Sequence, residues 1–532
     1  MNLQHSRMVR LLGNPLMIKR GFSQANHLLE LAYKGWEGTT PEKSYTIPKV
    51  DIEGEIPADL KGTFLRNGPG LIEKFGQKLV HPIDGDGIVC ALTFPGDGTA
   101  HFKSRFVETA ERKAEEEAQQ FLFRGQMGTI TDEQKQRDTK AVAEAIRTGV
   151  FPRIPFHNPS NTNVWHWGDR LISAYETSPP YALDPFDLKT IGKEDFDKTL
   201  SFKRLAAHFR IDTSDPANPR LVTGSYVRSP LPPDASLQIN EYNWDMSLHK
   251  THTYQVPGLT YFHDMALIDG YYVIHNSPFV TLNPQEGAKY LSGVYGPEDI
   301  MKLNKDLPCQ LIFLPREGSG EQIVVESPIA FHTFHFGTCY REGSKVVLTT
   351  TALQERFDMS WEWRYWLSNM CKAPGRFSRI DIDLESRSAE MYEIDPCSNE
   401  FPCSHPFRHG HVGTRYNYLM GCDEPGRGLP FMDVVKVDAE RGSEARKKWR
   451  ADGLVGEVVF APRAGYSSST ELAEDDGWLI TQFYDPVTRP DQTQFLVLDA
   501  RDVESGPVAR IKLNFKVNYS FHGTFTPDVF LS

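Results

Sequence analysis

From Tyr45 onward the chain is a succession of short β-branched or aromatic runs cut by Gly, Asp, Asn and Pro, a rhythm that points to antiparallel sheets. Met265-Ala266-Leu267-Ile268, then Asp269-Gly270, then Tyr271-Tyr272-Val273-Ile274 reads as a hairpin, because Asp-Gly suits a two-residue turn. Similar units recur at Trp167-Gly168-Asp169-Arg170-Leu171, at Arg341-Glu342-Gly343-Ser344-Lys345, and at Glu474-Asp475-Asp476-Gly477-Trp478. So many hairpins in one chain of 532 residues imply a propeller or a sandwich. Helical composition is confined to Glu108–Leu122 and Asp132–Thr148, rich in Glu, Ala, Lys and Gln, which would cap one end of the β scaffold. With no strict repeat and no long linker, residues 45–532 are expected to form a single catalytic domain with helical insertions near 108–148.

Bulk properties exclude several classes. The net charge of -12 and pI near 5.8 lack the basic footprint of a nucleic-acid binder. Seven cysteines at no repeating spacing suggest no disulfide framework and favour a reducing compartment. No stretch approaches the roughly 18 apolar residues of a membrane span, and the start lacks the apolar core of a secretory signal. Residues 1–44 are expected to be a separate segment. Arg7, Arg10, Lys19 and Arg20 lie there among Leu11, Leu12, Leu16, Met17 and Ile18, with no acid before Glu30. This composition fits an organelle transit peptide, a basic amphipathic helix on a membrane surface, or a solvated arm.

Four histidines stand inside apolar or aromatic runs: His208 in Ala206-Ala207-His208-Phe209, His263 in Tyr261-Phe262-His263-Asp264, His335 in Phe334-His335-Phe336-Gly337, and His522 in Phe521-His522-Gly523-Thr524. Taken singly, each is more readily a core histidine bonded to a carbonyl. Together they suggest one shared metal, since buried imidazoles need partners and neutral imidazole is a common ligand for iron, copper, nickel and zinc. Their separations of 55, 72 and 187 residues suit ligands converging from different blades. His332 competes with His335, because positions three apart on a strand face opposite ways and normally only one can point at the axis. Glu176, Glu400 and Glu474, in apolar or turn contexts, are candidates to accept the second ring N–H of the histidines; each could equally be a surface carboxylate.

Several strings carry a likeness that covers the chain from about Val50 onward: Leu65-Arg66-Asn67-Gly68-Pro69-Gly70, His81-Pro82-Ile83-Asp84-Gly85-Asp86-Gly87, Asn161-Thr162-Asn163-Val164, Tyr181-Ala182-Leu183-Asp184-Pro185, Glu400-Phe401-Pro402, Glu474-Asp475-Asp476-Gly477 and Phe521-His522-Gly523-Thr524. The chain resembles the carotenoid cleavage oxygenases. The resemblance implies an all-β, seven-bladed β-propeller with a helical and loop cap over the face that bears one Fe(II). It implies His208, His263, His335 and His522 as ligands, with His332 outward, and Glu176, Glu400 and Glu474 behind them. Thr162 falls where the family places a small residue crowding an open iron position.

The implied reaction is insertion of O2 into a conjugated double bond to give two carbonyl products, with no flavin or nicotinamide. Consistent with that, no Rossmann-type glycine fingerprint is apparent. The substrate would reach the iron through an apolar tunnel, for which 32 Phe, 20 Tyr and 9 Trp supply material. Arg124-Gly125-Gln126-Met127-Gly128-Thr129, Ala207-His208-Phe209-Arg210 and His335-Phe336-Gly337-Thr338-Cys339 resemble the apocarotenoid-cleaving branch, including its zaxinone-synthase-like group. Thr338, in place of the usual Asn, and Tyr175, in place of a frequent Trp, depart from the pattern and bear on bond position and substrate length. The alternatives are a stilbene-cleaving member, an isomerohydrolase that uses the iron without oxygen, and a non-catalytic apocarotenoid-binding propeller. A lipophilic substrate implies an intracellular protein held at a membrane surface, in a plastid or otherwise the cytoplasm, through the N-terminal segment and residues around Phe121–Phe123 or Tyr290–Tyr295.

Overall fold

A computed structural model describes residues 30–531, apart from 31, 150–153, 229–233, 280–282, 296–301, 355–373, 426–427, 443–445 and 464–472. The basic residues Arg7, Arg10, Lys19 and Arg20 lie outside the described residues.

The strands form seven antiparallel blades, and the chain is a seven-bladed β-propeller. Blades 2, 3 and 4 begin with Asn163–Trp167, Phe209–Asp212 and Ala266–Ile268 and add later strands outward. Blades 5 and 6 share Ser388–Cys403, a 16-residue strand whose first part pairs with Gly375–Asp383 and whose second part pairs with Tyr416–Pro425. Blade 7 runs outward from Leu454–Pro462 and is completed by the N-terminal strand Ile52–Gly54. Blade 1 is completed by the C-terminal strand Gly523–Thr526, paired with Gly62–Pro69. Its outermost strand, Lys43–Thr46, straddles the boundary expected at residue 45. The two ends are thus exchanged between the first and last blades, which closes the ring and leaves its central strands paired.

Period-2 alternation of apolar residues gives each sheet two faces to bury, so the blades pack face to face through seven apolar clusters. Phe64, Phe102, Ile480 and Phe495 join blade 1 to blade 7, and Leu65, Val89, Val164 and Leu183 join blades 1 and 2. Clusters around Trp165 and Tyr242, Leu237 and Tyr272, Phe313 and Leu348, Phe377 and Leu419, and Tyr418 and Phe460 complete the circle. The expected hairpin at Asp269-Gly270 is present, with Gly270 at φ +78° and Ile268 paired with Tyr271.

Helices occur where composition favours them. Ala110–Ala118 is capped by Thr109, and Asp132–Thr148 starts on a capping box from Thr131 and Gln134 and ends at Gly149 with φ +74°. A third, Pro284–Leu291, is capped by Asn283. Arg124 ties this cap together by donating to the carbonyls of Tyr290 and Leu291, both at 3.0 Å. The Asp84 carboxylate accepts from the backbone N–H groups of Met127 and Thr129, so the His81–Gly87 motif anchors the loop between the first two helices. Gln126 donates to Thr177 at 2.6 Å, placing that loop directly against the turn that carries Glu176.

Candidate metal centre

Each candidate histidine stands just ahead of the innermost strand of a blade: His208 before Phe209–Asp212, His263 before Ala266–Ile268, His335 before Phe336–Glu342, and His522 before Gly523–Thr526. Strands that start at one end of the propeller therefore deliver four side chains to one point on its axis. One nitrogen from each imidazole lies within 4.8 Å of the others, and the His208 ring centroid stands 4.4–4.8 Å from the other three.

Three of the rings face a carboxylate. His263 Nδ1 is 2.7 Å from Glu176 Oε1, His335 Nδ1 is 2.9 Å from Glu400 Oε2, and His522 Nδ1 is 2.8 Å from Glu457 Oε1. An ionised carboxylate only accepts, so each Nδ1 carries the proton and each Nε2 presents its lone pair. Nε2 of His263 and Nε2 of His335 then face each other at 3.2 Å, so in the neutral rings two lone pairs converge. Nε2 of His208 is buried without a hydrogen-bond partner. Converging lone pairs repel unless a cation lies among them, so this donor set fits a metal. Burial and the crowd of neighbouring imidazoles push His208 and His522 well below the ordinary imidazole range, which keeps both in the neutral, ligating form.

The supports of the three carboxylates differ. Glu176 also accepts from the Tyr261 hydroxyl at 2.6 Å. Glu400 accepts from the backbone of Phe401 at 2.6 Å. Glu457 accepts from Arg66 Nη1 at 2.5 Å and from Gly523 N at 2.9 Å, while Arg66 Nη2 donates to the Phe521 carbonyl at 2.7 Å. Burial lifts the Glu457 carboxyl to about 7 despite the pull of Arg66, and a bound cation would draw it down.

Two expectations require correction. Glu474 does not stand behind a histidine: its carboxylate accepts from the backbone N–H groups of Arg415 and Tyr416 at 2.8–3.1 Å. Pro462 pairs with Gly477, which puts Glu474 beyond the far end of the strand that carries Glu457, about 16 Å away along the strand. Glu457 was legible as the lone carboxylate inside Leu454-Val455-Gly456-Glu457-Val458-Val459-Phe460, a buried charge that demands a partner. His332, expected outward, is 1% exposed and bonds Ser277 Oγ through Nδ1 at 2.6 Å. It lies outside the four-histidine cluster, as expected, but strand alternation is not the reason: the regular strand begins only at Phe336, and His332 makes an isolated bridge to Leu353.

Thr162 touches the cluster through its main chain, its carbonyl accepting from His522 N at 3.1 Å. The imidazoles are flanked by half-buried rings. Phe334 is 5.1 Å from His263, and Phe401 is 4.9 Å from His335 and 4.6 Å from His522. Phe401 has φ +55°, a conformation a bulky residue seldom adopts, and it turns its ring onto the two imidazoles. A cavity of about 430 Å³, lined by Phe401 as well as by His208, His335 and His522, runs past Trp165, Phe209 and Phe460 to Trp244 and Asp528.

Residues 38–527 match the family described as retinal pigment epithelial membrane protein. The chain is 33% identical to the apocarotenoid-15,15'-oxygenase of Synechocystis sp. over 92% of its length and 95% of the relative's. It is 28% identical to the isoeugenol monooxygenase of Pseudomonas nitroreducens, over 90% and 94% respectively. The cobalt-substituted crystal structure of the Synechocystis apocarotenoid oxygenase superposes with a TM-score of 0.82 at 31% identity, covering 94% of this chain and 98% of that one. The chain therefore belongs to the retinal pigment epithelial membrane protein family, the carotenoid oxygenases.

Proposed function

We propose that the protein is a non-haem iron(II) dioxygenase that cleaves one conjugated double bond of an apocarotenoid, consuming one O2 and giving two carbonyl products. The observation that carries this reading is the set of four converging imidazoles, three of them held by carboxylates, at the axis of a carotenoid-oxygenase propeller. His208, His263, His335 and His522 would hold one Fe(II) per chain. An iron bound by four uncharged ligands keeps its positive charge and retains free coordination positions, which is what activation of O2 beside an electron-rich polyene requires.

The chain's own residues do the positioning. Glu176, Glu400 and Glu457 fix which ring nitrogen is free. Phe334 and Phe401, half-buried above the imidazoles, offer apolar faces on which a conjugated chain can lie across the centre. Thr162, pinned by His522 N, would hold its side chain beside an open coordination position. Both oxygen atoms of O2 enter the products and no hydrogen is removed, so no external reductant is needed.

Anaerobically purified protein should bind about one iron per chain and, under air, convert an apocarotenal to two shorter carbonyl compounds, each carrying label from 18O2. A panel of graded apocarotenals with a hydroxystilbene identifies the substrate class. A folded, metal-free preparation with full activity would overturn the reading, and cleavage of the hydroxystilbene alone would move the substrate to the stilbene class.

Peripheral attachment to a membrane belongs to the same proposal, since the substrate is lipophilic. No described helix is long and apolar enough to cross a bilayer. The candidate attachment surface comprises residues around Phe121–Phe123 or Tyr290–Tyr295 and, since Trp36 packs on Tyr519 and Phe521, an N-terminal part in residues 1–29. Deleting residues 1–29 should abolish binding to anionic vesicles and leave the metal content unchanged; unchanged vesicle binding would remove this segment from the proposal.

A further inference from the structure

We propose that Arg66 sets the charge of the metal centre, so that the centre holds a divalent cation in preference to a trivalent one. The inference rests on the reading of the four histidines as a cation site. Arg66 is 1% exposed, and its guanidinium spans Glu457 Oε2 and the carbonyl of Phe521, the residue before His522. Every contact of the Glu457 carboxylate comes from a donor: His522 Nδ1, Gly523 N and Arg66 Nη1. That pattern requires the ionised form when the site is loaded.

Around the four neutral imidazoles stand three carboxylates, Glu176, Glu400 and Glu457, and one guanidinium, Arg66. Asp264, next to His263, is matched by Arg210 at 2.5 Å and adds nothing net. The buried shell thus carries two negative charges in excess, the complement of a divalent cation. Without the guanidinium the excess would be three, the complement of a trivalent one. A unit charge one carboxylate and one imidazole removed from the centre, in a medium of effective dielectric near 20, changes the preference between the two valences by about tenfold or more. Tyr261 at Glu176 and the Phe401 amide at Glu400 are neutral donors, so among the described residues Arg66 is the one formal positive charge bonded to the three carboxylates.

The same arginine also positions. By gripping both Glu457 and the main chain ahead of His522, it holds the partner and the base of one ligand in register. The Arg66-Asn67 step completes that hold, since Asn67 exchanges backbone hydrogen bonds with Phe521 and His522.

The test uses full-length protein stripped of metal and equilibrated separately with Co(II) and with Ga(III) in a common chelator buffer, the bound metal being counted by mass spectrometry. Neither ion changes oxidation state under those conditions, and activity is not the readout. Arg66→Met should raise the Ga(III)-to-Co(II) binding ratio by about tenfold or more, and Arg66→Lys, which keeps the charge, should return it to the wild-type ratio. A folded Arg66→Met protein with the wild-type ratio would overturn the proposal.

Should Arg66→Met fail to fold, Glu457→Gln compared with Arg66→Met/Glu457→Gln isolates the same charge, because the double variant buries no unpaired ion. The double variant should show the higher Ga(III)-to-Co(II) ratio, and equal ratios would sink the idea. Failure of wild-type protein to take up Co(II) at all would instead remove the cation site on which the inference stands.

Discussion

Glu457 Oε1 accepts the Nδ1 proton of His522 at 2.8 Å across blades 7 and 1, so the partner of the last histidine comes from a different blade than the histidine itself. The same holds for His263 with Glu176 and for His335 with Glu400. Each carboxylate therefore ties separate parts of the ring together as well as fixing a tautomer, and Glu176 reaches from blade 2 to the head of blade 4.

Replacing Glu457 by Gln should weaken metal retention about 10- to 100-fold, because a neutral amide has one acceptor oxygen where the carboxylate uses two, Oε1 for His522 and Oε2 for Arg66 and Gly523. Glu474→Gln should leave retention at the wild-type level, since Glu474 bonds the Arg415 and Tyr416 amides. Competition against a fluorescent chelator reads both affinities. Equal losses in the two variants would return Glu474 to the centre.

Phe401→Ala should lower kcat/KM for a long apocarotenal while leaving metal content intact. The ring lies over His335 and His522 but supplies no ligand atom. The variant should be little less stable than wild type, because the backbone at φ +55° is a poor fit for phenylalanine and alanine at once. Steady-state kinetics beside metal analysis checks this, and loss of iron from the variant would give Phe401 a different role.

Phe495→Ala should destabilise the fold by about 3–5 kcal/mol. Its ring meets Phe64 edge-on at 5.9 Å and also packs against Phe102, joining the blades that close the ring. Urea unfolding measures the change. A loss below about 1 kcal/mol would mean that this interface relaxes around the cavity.

The cap carries a pH-dependent pair. Burial alone would push the His157 imidazole down, but Asp86 at 2.8 Å, with Glu115 behind it, lifts it above 6.5. Burial would raise the Asp86 carboxyl, yet His157 and Lys74 hold it below 3.8. A lifted imidazole stabilises the fold below its unfolded value, and that contribution is lost as pH rises through the folded value. A depressed carboxylate stabilises above its unfolded value, and is lost as pH falls through the folded one. Both contributions are complete between about 4 and 6.5. His157→Gln should therefore lower Tm most in that window, and the deficit should shrink as the solution is made alkaline. A deficit independent of pH would assign His157 a packing role alone.

Much of this was readable from local patterns. The hairpin at Asp269-Gly270 and the helix Asp132–Thr148 follow from turn chemistry and composition. The four histidines betrayed themselves because their flanks are apolar, which forces the imidazoles inward. Glu457 obeys the same rule, but the resemblance pointed instead at the Glu474-Asp475-Asp476-Gly477 turn, where clustered acids have water or backbone to satisfy them. For His332 alternation was the wrong warrant, since residues 332–335 do not form a regular strand. The exchange of terminal strands left no trace in sequence, because pairing Ile52 with Ile511 or Thr63 with Thr526 has no local signature. Arg66 was likewise visible only as part of a motif, its partner Glu457 being 391 positions away.

The placement of the C-terminal strand in blade 1 also orders events during synthesis. His522 leaves the ribosome long after His208, His263 and His335, and it reaches the axis only when Gly523–Thr526 zips onto Gly62–Pro69. Until that last strand docks, a nascent chain holds at most three of the four imidazoles and an unsealed ring. The four-imidazole cluster therefore cannot form before Gly523–Thr526 has been made and docked, and a deletion that removes this strand would lose ring closure and the fourth imidazole in a single stroke.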